Sequence, residues 1–133
     1  MESDSTKVLL FVPHARGASN GIAQAVEATL GPKCLQQVQS VGALRDRLRK
    51  PRETRLAILV AETGGDLRRL AKLAPLLDNT RVVLVLPDGD DATVAEGHRL
   101  RPRVVGWGPD FLSQVPAIVS KMLANDSCQQ KEL

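Results

Sequence analysis

Three short, unbroken apolar runs limit what this chain can fold into: Lys7-Val-Leu-Leu-Phe-Val12, Leu56-Ala-Ile-Leu-Val-Ala61 and Val82-Val-Leu-Val-Leu86. Each is too short for a buried helix and too uniformly apolar for a strand with one wet face. Such runs fit strands covered on both sides, the condition found in parallel sheets. Two weaker strand signals complete the pattern, a more polar one over Cys34–Gln39 suited to a sheet edge and a last one over Arg103–Trp107.

The segments between these runs read as helices. Ser19 or Asn20 can cap a helix that repeats Ile22, Val26 and Leu30 before Gly31-Pro32 ends it. Ser40 caps a second, with Val41, Leu44 and Leu48 inward and a stop at Pro51. Gly64-Gly65-Asp66 opens a third, with Leu67, Leu70, Ala74 and Leu77 on one side and Pro75 ending its regular part early. Pro87-Asp-Gly-Asp-Asp91 is a turn and cap before a less apolar helix over 91–100. A final helix starts near Asp110 and turns Phe111, Val115, Ile118 and Met122 inward. Five strand-then-helix units with short connections predict a parallel sheet covered on both faces, α/β, in the flavodoxin-like strand order 2-1-3-4-5. The expected domain is 7–124, with 1–6 and 125–133 as flexible termini.

Composition narrows the function classes. The chain has 133 residues, enough for one domain with a real core. Tyr is absent, and Phe11, Phe111 and Trp107 are the only aromatics, which disfavours base stacking and so single-stranded nucleic-acid binding. No run is long enough to cross a bilayer, and no apolar leader precedes the first strand, so the expected location is cytoplasmic. Cys34 and Cys128 are far apart; two cysteines alone make no metal cluster, and a disulfide is disfavoured. No cofactor or metal is expected.

The net charge of +3 is mild but unevenly spread. Arg45, Arg47, Arg49, Lys50, Arg52 and Arg55 fall within eleven residues, and Arg99, Arg101 and Arg103 form a second group. An anionic partner such as nucleic acid is one reading of the first group; the solvated face of a helix and its exit loop is the favoured one.

Ligands in an open parallel sheet sit at the carboxyl ends of the strands, near the point where strand order reverses. That nominates Val12, Pro13, His14, Ala61, Glu62, Leu86, Pro87, Asp88, Trp107 and Gly108 as the edge to inspect. With its five βα units, its spacing, and Gly106-Trp-Gly-Pro109 before an amphipathic last helix, the chain resembles the bacterial response-regulator receiver family over 7–124. Pro109 falls where receivers place the proline after their last strand.

The resemblance implies a signalling module of two-component type whose phosphorylation apparatus is gone. Val12 and Pro13 stand where receivers hold Mg²⁺ with an acidic pair, and Val60 or Ala61 where they carry the accepting Asp. Leu86 replaces the switch Ser/Thr and Gly108 the Lys. A hard cation needs carboxylate oxygens and phosphoryl transfer needs a nucleophile with charge neutralisation; apolar residues supply neither. The expectation is a pseudo-receiver, not an enzyme, acting by contact with another protein or with itself. Its contact surface would include Arg99, Arg101, Arg103 and Trp107, with Trp107 read equally as an interface anchor or as partial core packing.

A rival reading is a small flavodoxin-like ligand-binding domain or enzyme at the same edge. It would use Gly17-Ala-Ser-Asn-Gly21 as a phosphate-facing loop, though this matches no phosphate-loop motif. Glu62 could mimic a permanent negative charge or bind a cation with Asp88, Asp90 and Asp91. The plainer readings are an exposed loop carboxylate and ordinary turn and capping chemistry. His14 and His98 lie on different segments and have no nucleophile placed beside them.

Overall fold

The computed structural model describes residues 8–12, 17–30, 35–49, 56–77 and 80–132. Five strands, β1 (Val8–Phe11), β2 (Leu35–Val38), β3 (Leu56–Val60), β4 (Arg81–Leu86) and β5 (Val104–Trp107), form one parallel sheet. The order is β2-β1-β3-β4-β5, as expected. The helices are α1 (Gly17–Leu30), α2 (Val41–Leu48), α3 (Gly64–Ala71), α4 (Asp91–His98) and α5 (Gly108–Glu132).

Alternation along the strands divides the core in two. Leu9, Phe11, Leu59 and Leu84 point to one face, against Leu44 and Leu48 of α2 and Leu67 and Leu70 of α3. Val8, Leu10, Ile58 and Val83 point to the other, against Ile22 and Val26 of α1 and Val115 and Val119 of α5. The interior strands β1 and β3 are buried at every position, which is why their sequences are apolar without a break. The edge strand β2 buries only Val38 and spends its middle on Gln36 and Gln37.

Local chemistry explains most helix boundaries. Ser40 Oγ accepts from the Ala43 N–H at 3.1 Å, the expected cap of α2. Pro75 ends regular helix as expected: α3 stops at Ala71 and a single 3₁₀ turn, Ala74–Leu77, carries Leu77 into the core. Two boundaries differ from expectation. The first helix begins at Gly17, so Ser19 and Asn20 lie inside it and do not cap it. The last helix continues past Ala124 to Glu132, and it contains Pro116, whose missing N–H removes the hydrogen bond to the Leu112 carbonyl.

Helix α4 has few large apolar residues and approaches the sheet through a glycine. A Cβ on Gly97 would lie 2.9 Å from Leu86 Cδ2 and 3.0 Å from Leu84 Cδ2. The buried Leu100 follows and anchors the exit loop. The chain then turns at Arg101, the one non-glycine among the described residues with positive φ, at 52°. This conformation is costly for a residue with a Cβ. Arg101→Gly is therefore expected to raise stability by up to about 1 kcal/mol, strain relief outweighing the greater backbone entropy of glycine. Urea unfolding of both proteins checks the sign.

Candidate functional site

Among the described residues, the carboxyl ends of the three interior strands are apolar and buried. Val12 is 0% exposed, Ala61 1% and Leu86 2%. Their backbone groups extend the ladder, with Val12 N–H donating to the Val38 carbonyl at 3.1 Å and Ala61 N–H to the Val85 carbonyl at 2.9 Å. Val60 is paired with Val85 and buried too. Pro13 and His14, the remaining candidates after β1, lie outside the described residues.

Beyond β3 the chain turns into α3 through a tight polar cap. Thr63 Oγ1 accepts from the Asp66 N–H at 3.1 Å, and Asp66 Oδ2 accepts from the Glu62 N–H at 3.2 Å. Asp66 is 5% exposed, the only buried charged residue among those described. Its carboxylate sits at the start of a helix, where the N-terminal partial charge favours it. The sequence signal was present, since Thr63-x-x-Asp66 has capping-box spacing, but Gly64-Gly65-Asp66 reads first as a break. Glu62 is half-buried and not the exposed loop carboxylate expected.

The acidic residues after β4 perform turn chemistry. Asp88 Oδ1 accepts from the Asp90 N–H at 3.0 Å, an Asx turn, and Asp90 is the N-cap position of α4. Among the described residues no three His, Cys, Asp or Glu side chains converge as a metal-binding group, so Glu62 is not brought together with Asp88, Asp90 and Asp91. Residues 17–21 are helical, so neither the plain loop favoured there nor the phosphate-facing loop of the rival reading is formed. His98 is exposed at the end of α4.

At the far end of the edge, Gly108 turns β5 into α5 with φ at +88°. This is the position where receivers carry Lys, and a side chain there would be strained in the present backbone. Trp107 is 46% exposed, the one large hydrophobic residue so exposed among those described. A Cβ on Gly89 would lie 2.5 Å from Trp107 Cε2, so the indole is laid across the β4–α4 loop. Trp107 packs against Gly89 and presents the rest of its surface to solvent.

The basic residues lie at the opposite edge. Arg99, Arg101 and Arg103 are exposed around the turn into β5, so Arg103 and Trp107 flank opposite ends of that strand. Arg99 Nη1 donates to Glu96 Oε2 at 3.4 Å within the same molecule. In the other basic group, Arg45 and Arg49 are exposed on α2 and its cap; Lys50, Arg52 and Arg55 lie outside the described residues.

No protein-family model and no curated protein matches the chain. Solved structures do. A pilus assembly-related protein of Burkholderia pseudomallei matches at TM-score 0.59 and 17% identity, over 86% of this chain and 92% of that one. The pilus assembly protein CpaE of Burkholderia thailandensis matches at TM-score 0.61 and 18% identity, over 87% and 98%. The response regulator RcsB of Salmonella typhimurium matches at TM-score 0.60 and 14% identity; the match covers 95% of this chain but 61% of RcsB. No described helix is long and apolar enough to cross a membrane. Strand order, the two helical layers and these likenesses agree: the chain has the flavodoxin-like fold of response-regulator receivers.

Proposed function

We propose that residues 7–124 form a receiver-like signalling module that accepts no phosphoryl group and acts by protein–protein contact, in the cytoplasm and without catalysis. The observation that carries this reading is the buried apolar closure of the carboxyl edge at Val12, Ala61 and Leu86. Gly108 supports it, because its positive φ disfavours the lysine a phosphorylated receiver would use. The side chains of Val12, Ala61 and Leu86 supply neither ligands for Mg²⁺ nor a nucleophile for phosphorus.

The contact face we assign is α4, β5 and the first turns of α5. β5 is an edge strand, with Arg103 before one end and Asp110 beyond the other. A two-fold axis beside β5 would bring the basic end of one copy to the acidic end of the other, the arrangement an isologous dimer needs. Each exposed ion pair would contribute only about 0–1 kcal/mol, so the charges set register while Trp107 supplies apolar contact. Sedimentation velocity tests the reading. The wild type should sediment identically with and without acetyl phosphate and Mg²⁺, and the variant Arg101→Glu/Arg103→Glu should associate more weakly while staying folded. A shift induced by the phosphodonor, or association unchanged by charge reversal, contradicts it.

A further inference from the structure

Two cavities meet where α3, α4 and the amino-terminal edge of the sheet come together, opposite the edge where receivers do their chemistry. One, of about 560 Å³, lies between α3 and α4 and is lined by Arg68, Ala71, Lys72, Ala74, Glu96 and Arg99. The other, of about 540 Å³, is an arginine pocket at the strand starts, with Arg101 and Arg103 beside an apolar wall of Pro75, Leu77 and Leu100. Ala74 and Arg99 belong to both, so the two form one continuous groove. Its exposed cations besides Arg99 are Arg68, Lys72, Arg101 and Arg103. Arg81 also lines the pocket but is committed elsewhere, its Nη1 donating to the Met122 carbonyl at 3.3 Å.

The groove is open because the side chains along its floor are small. α3 contributes Ala71 and the 3₁₀ turn Ala74, while α4 meets the sheet through Gly97 and not through a large apolar side chain. Its walls are tied down. The buried Leu70 and Leu100 hold the α3 side and the exit of α4 to the core. Leu100 N–H donates to the Gly97 carbonyl at 3.1 Å, Arg101 N–H to the His98 carbonyl at 3.0 Å, and Arg103 N–H to the Val82 carbonyl at 2.8 Å. Arg101 keeps its left-handed backbone within this loop. Such strain persists where the surroundings over-determine it, and it concentrates at functional positions.

We propose that this groove binds an acidic polypeptide segment of a partner protein, one in which Asp or Glu is interspersed with apolar residues. Among the described lining residues only Glu96 carries a carboxylate, and it is paired with Arg99 at 3.4 Å. Because both cavities share Arg99, that pair puts a negative charge at their junction. The junction decides the class of ligand. A nucleic-acid backbone is charged at every step and would have to pass over Glu96. A peptide can set a neutral residue there and carboxylates on either side, where guanidinium forks match them in pairs. Ala71, Ala74 and Pro75 offer its apolar residues a surface, and no aromatic among the described lining residues offers one to bases. Exposed ion pairs are individually weak, so the affinity should be modest and spread over several contacts. The groove is a second contact surface: it shares Arg101 and Arg103 with the β5 face, but Arg68 and Lys72 lie outside that face.

The test is fluorescence anisotropy with the full chain at about 0.15 M salt, where long-range attraction between exposed charges is screened. The probes are a labelled dodecapeptide of mixed Glu, Asp and Leu, its analogue with Gln and Asn in place of the acids, and a single-stranded oligonucleotide of the same net charge. The acidic peptide should bind and the neutral analogue should not. Arg68→Gln/Lys72→Gln should weaken acidic-peptide binding about fivefold or more, the loss of two exposed pairs. Arg45→Gln/Arg49→Gln, which removes the same charge from α2 and its cap, should leave it unchanged. The Arg68/Lys72 variant should also sediment as the wild type does, which separates this groove from the β5 contact. No binding of the acidic peptide at millimolar protein overturns the proposal. So do equal losses in the two double variants, which would mean diffuse attraction of anions. Tighter binding of the oligonucleotide than of the peptide, or altered self-association in the Arg68/Lys72 variant, overturns it as well.

Discussion

Gly106→Ala is expected to destabilise the domain by about 1–3 kcal/mol, the range for forcing a methyl group into filled space. Gly106 is buried in β5, and a Cβ on it would lie 2.4 Å from Phe111 Cδ1 and 2.5 Å from Phe111 Cγ. Those atoms belong to the root of an aromatic ring packed against the core between β5 and α5, so the ring cannot simply swing its tip aside. The clash has a signature beyond its size. Combined with Phe111→Ala, the glycine substitution should cost much less than it does alone, a coupling of about 0.5–3 kcal/mol between contacting residues. Denaturant unfolding of the two single variants and the double variant measures it. Strict additivity would show that Phe111 does not rest on Gly106.

Trp107→Ala is expected to weaken the self-association proposed for the β5 face by about 2 kcal/mol or more, roughly thirtyfold in dissociation constant. Large aromatics at the centre of a contact lose most when truncated, and Trp107 is already 46% exposed while held by Gly89 beneath it. The substitution should leave the fold intact, because neither half of the core includes Trp107. Gly89→Ala offers an independent route to the same result, since its Cβ would displace the indole without removing it. Sedimentation equilibrium of wild type and both variants gives the dissociation constants. Equal values across the three would remove Trp107 from the contact.

The fold was legible because burial on both faces leaves a simple mark. The runs at 8–12, 56–61 and 82–86 are the strands that the topology places inside, and the polar 35–38 segment is the edge. What depended on contacts distant in sequence was less legible. Val119 is fully buried against α5's neighbours, yet the helical period had placed Ile118 inward, where it is only half-buried. Gly97, Gly106 and Gly89 look like ordinary glycines until the leucines, Phe111 and Trp107 are found against them. The apolar substitutions at the carboxyl edge could be read directly. The arginine pocket could not, because Arg81 joins Arg99, Arg101 and Arg103 only when β4 and β5 pair.

The absence of phospho-acceptance is the claim on which the account turns, and intact-mass spectrometry tests it most directly. The domain is incubated with acetyl phosphate and Mg²⁺ and its mass is read at once, before a labile acyl phosphate can hydrolyse. The account predicts an unmodified chain, because Val12, Ala61 and Leu86 close the strand ends with buried apolar side chains. A phosphoryl adduct at Glu62, Asp66 or Asp88 would contradict it.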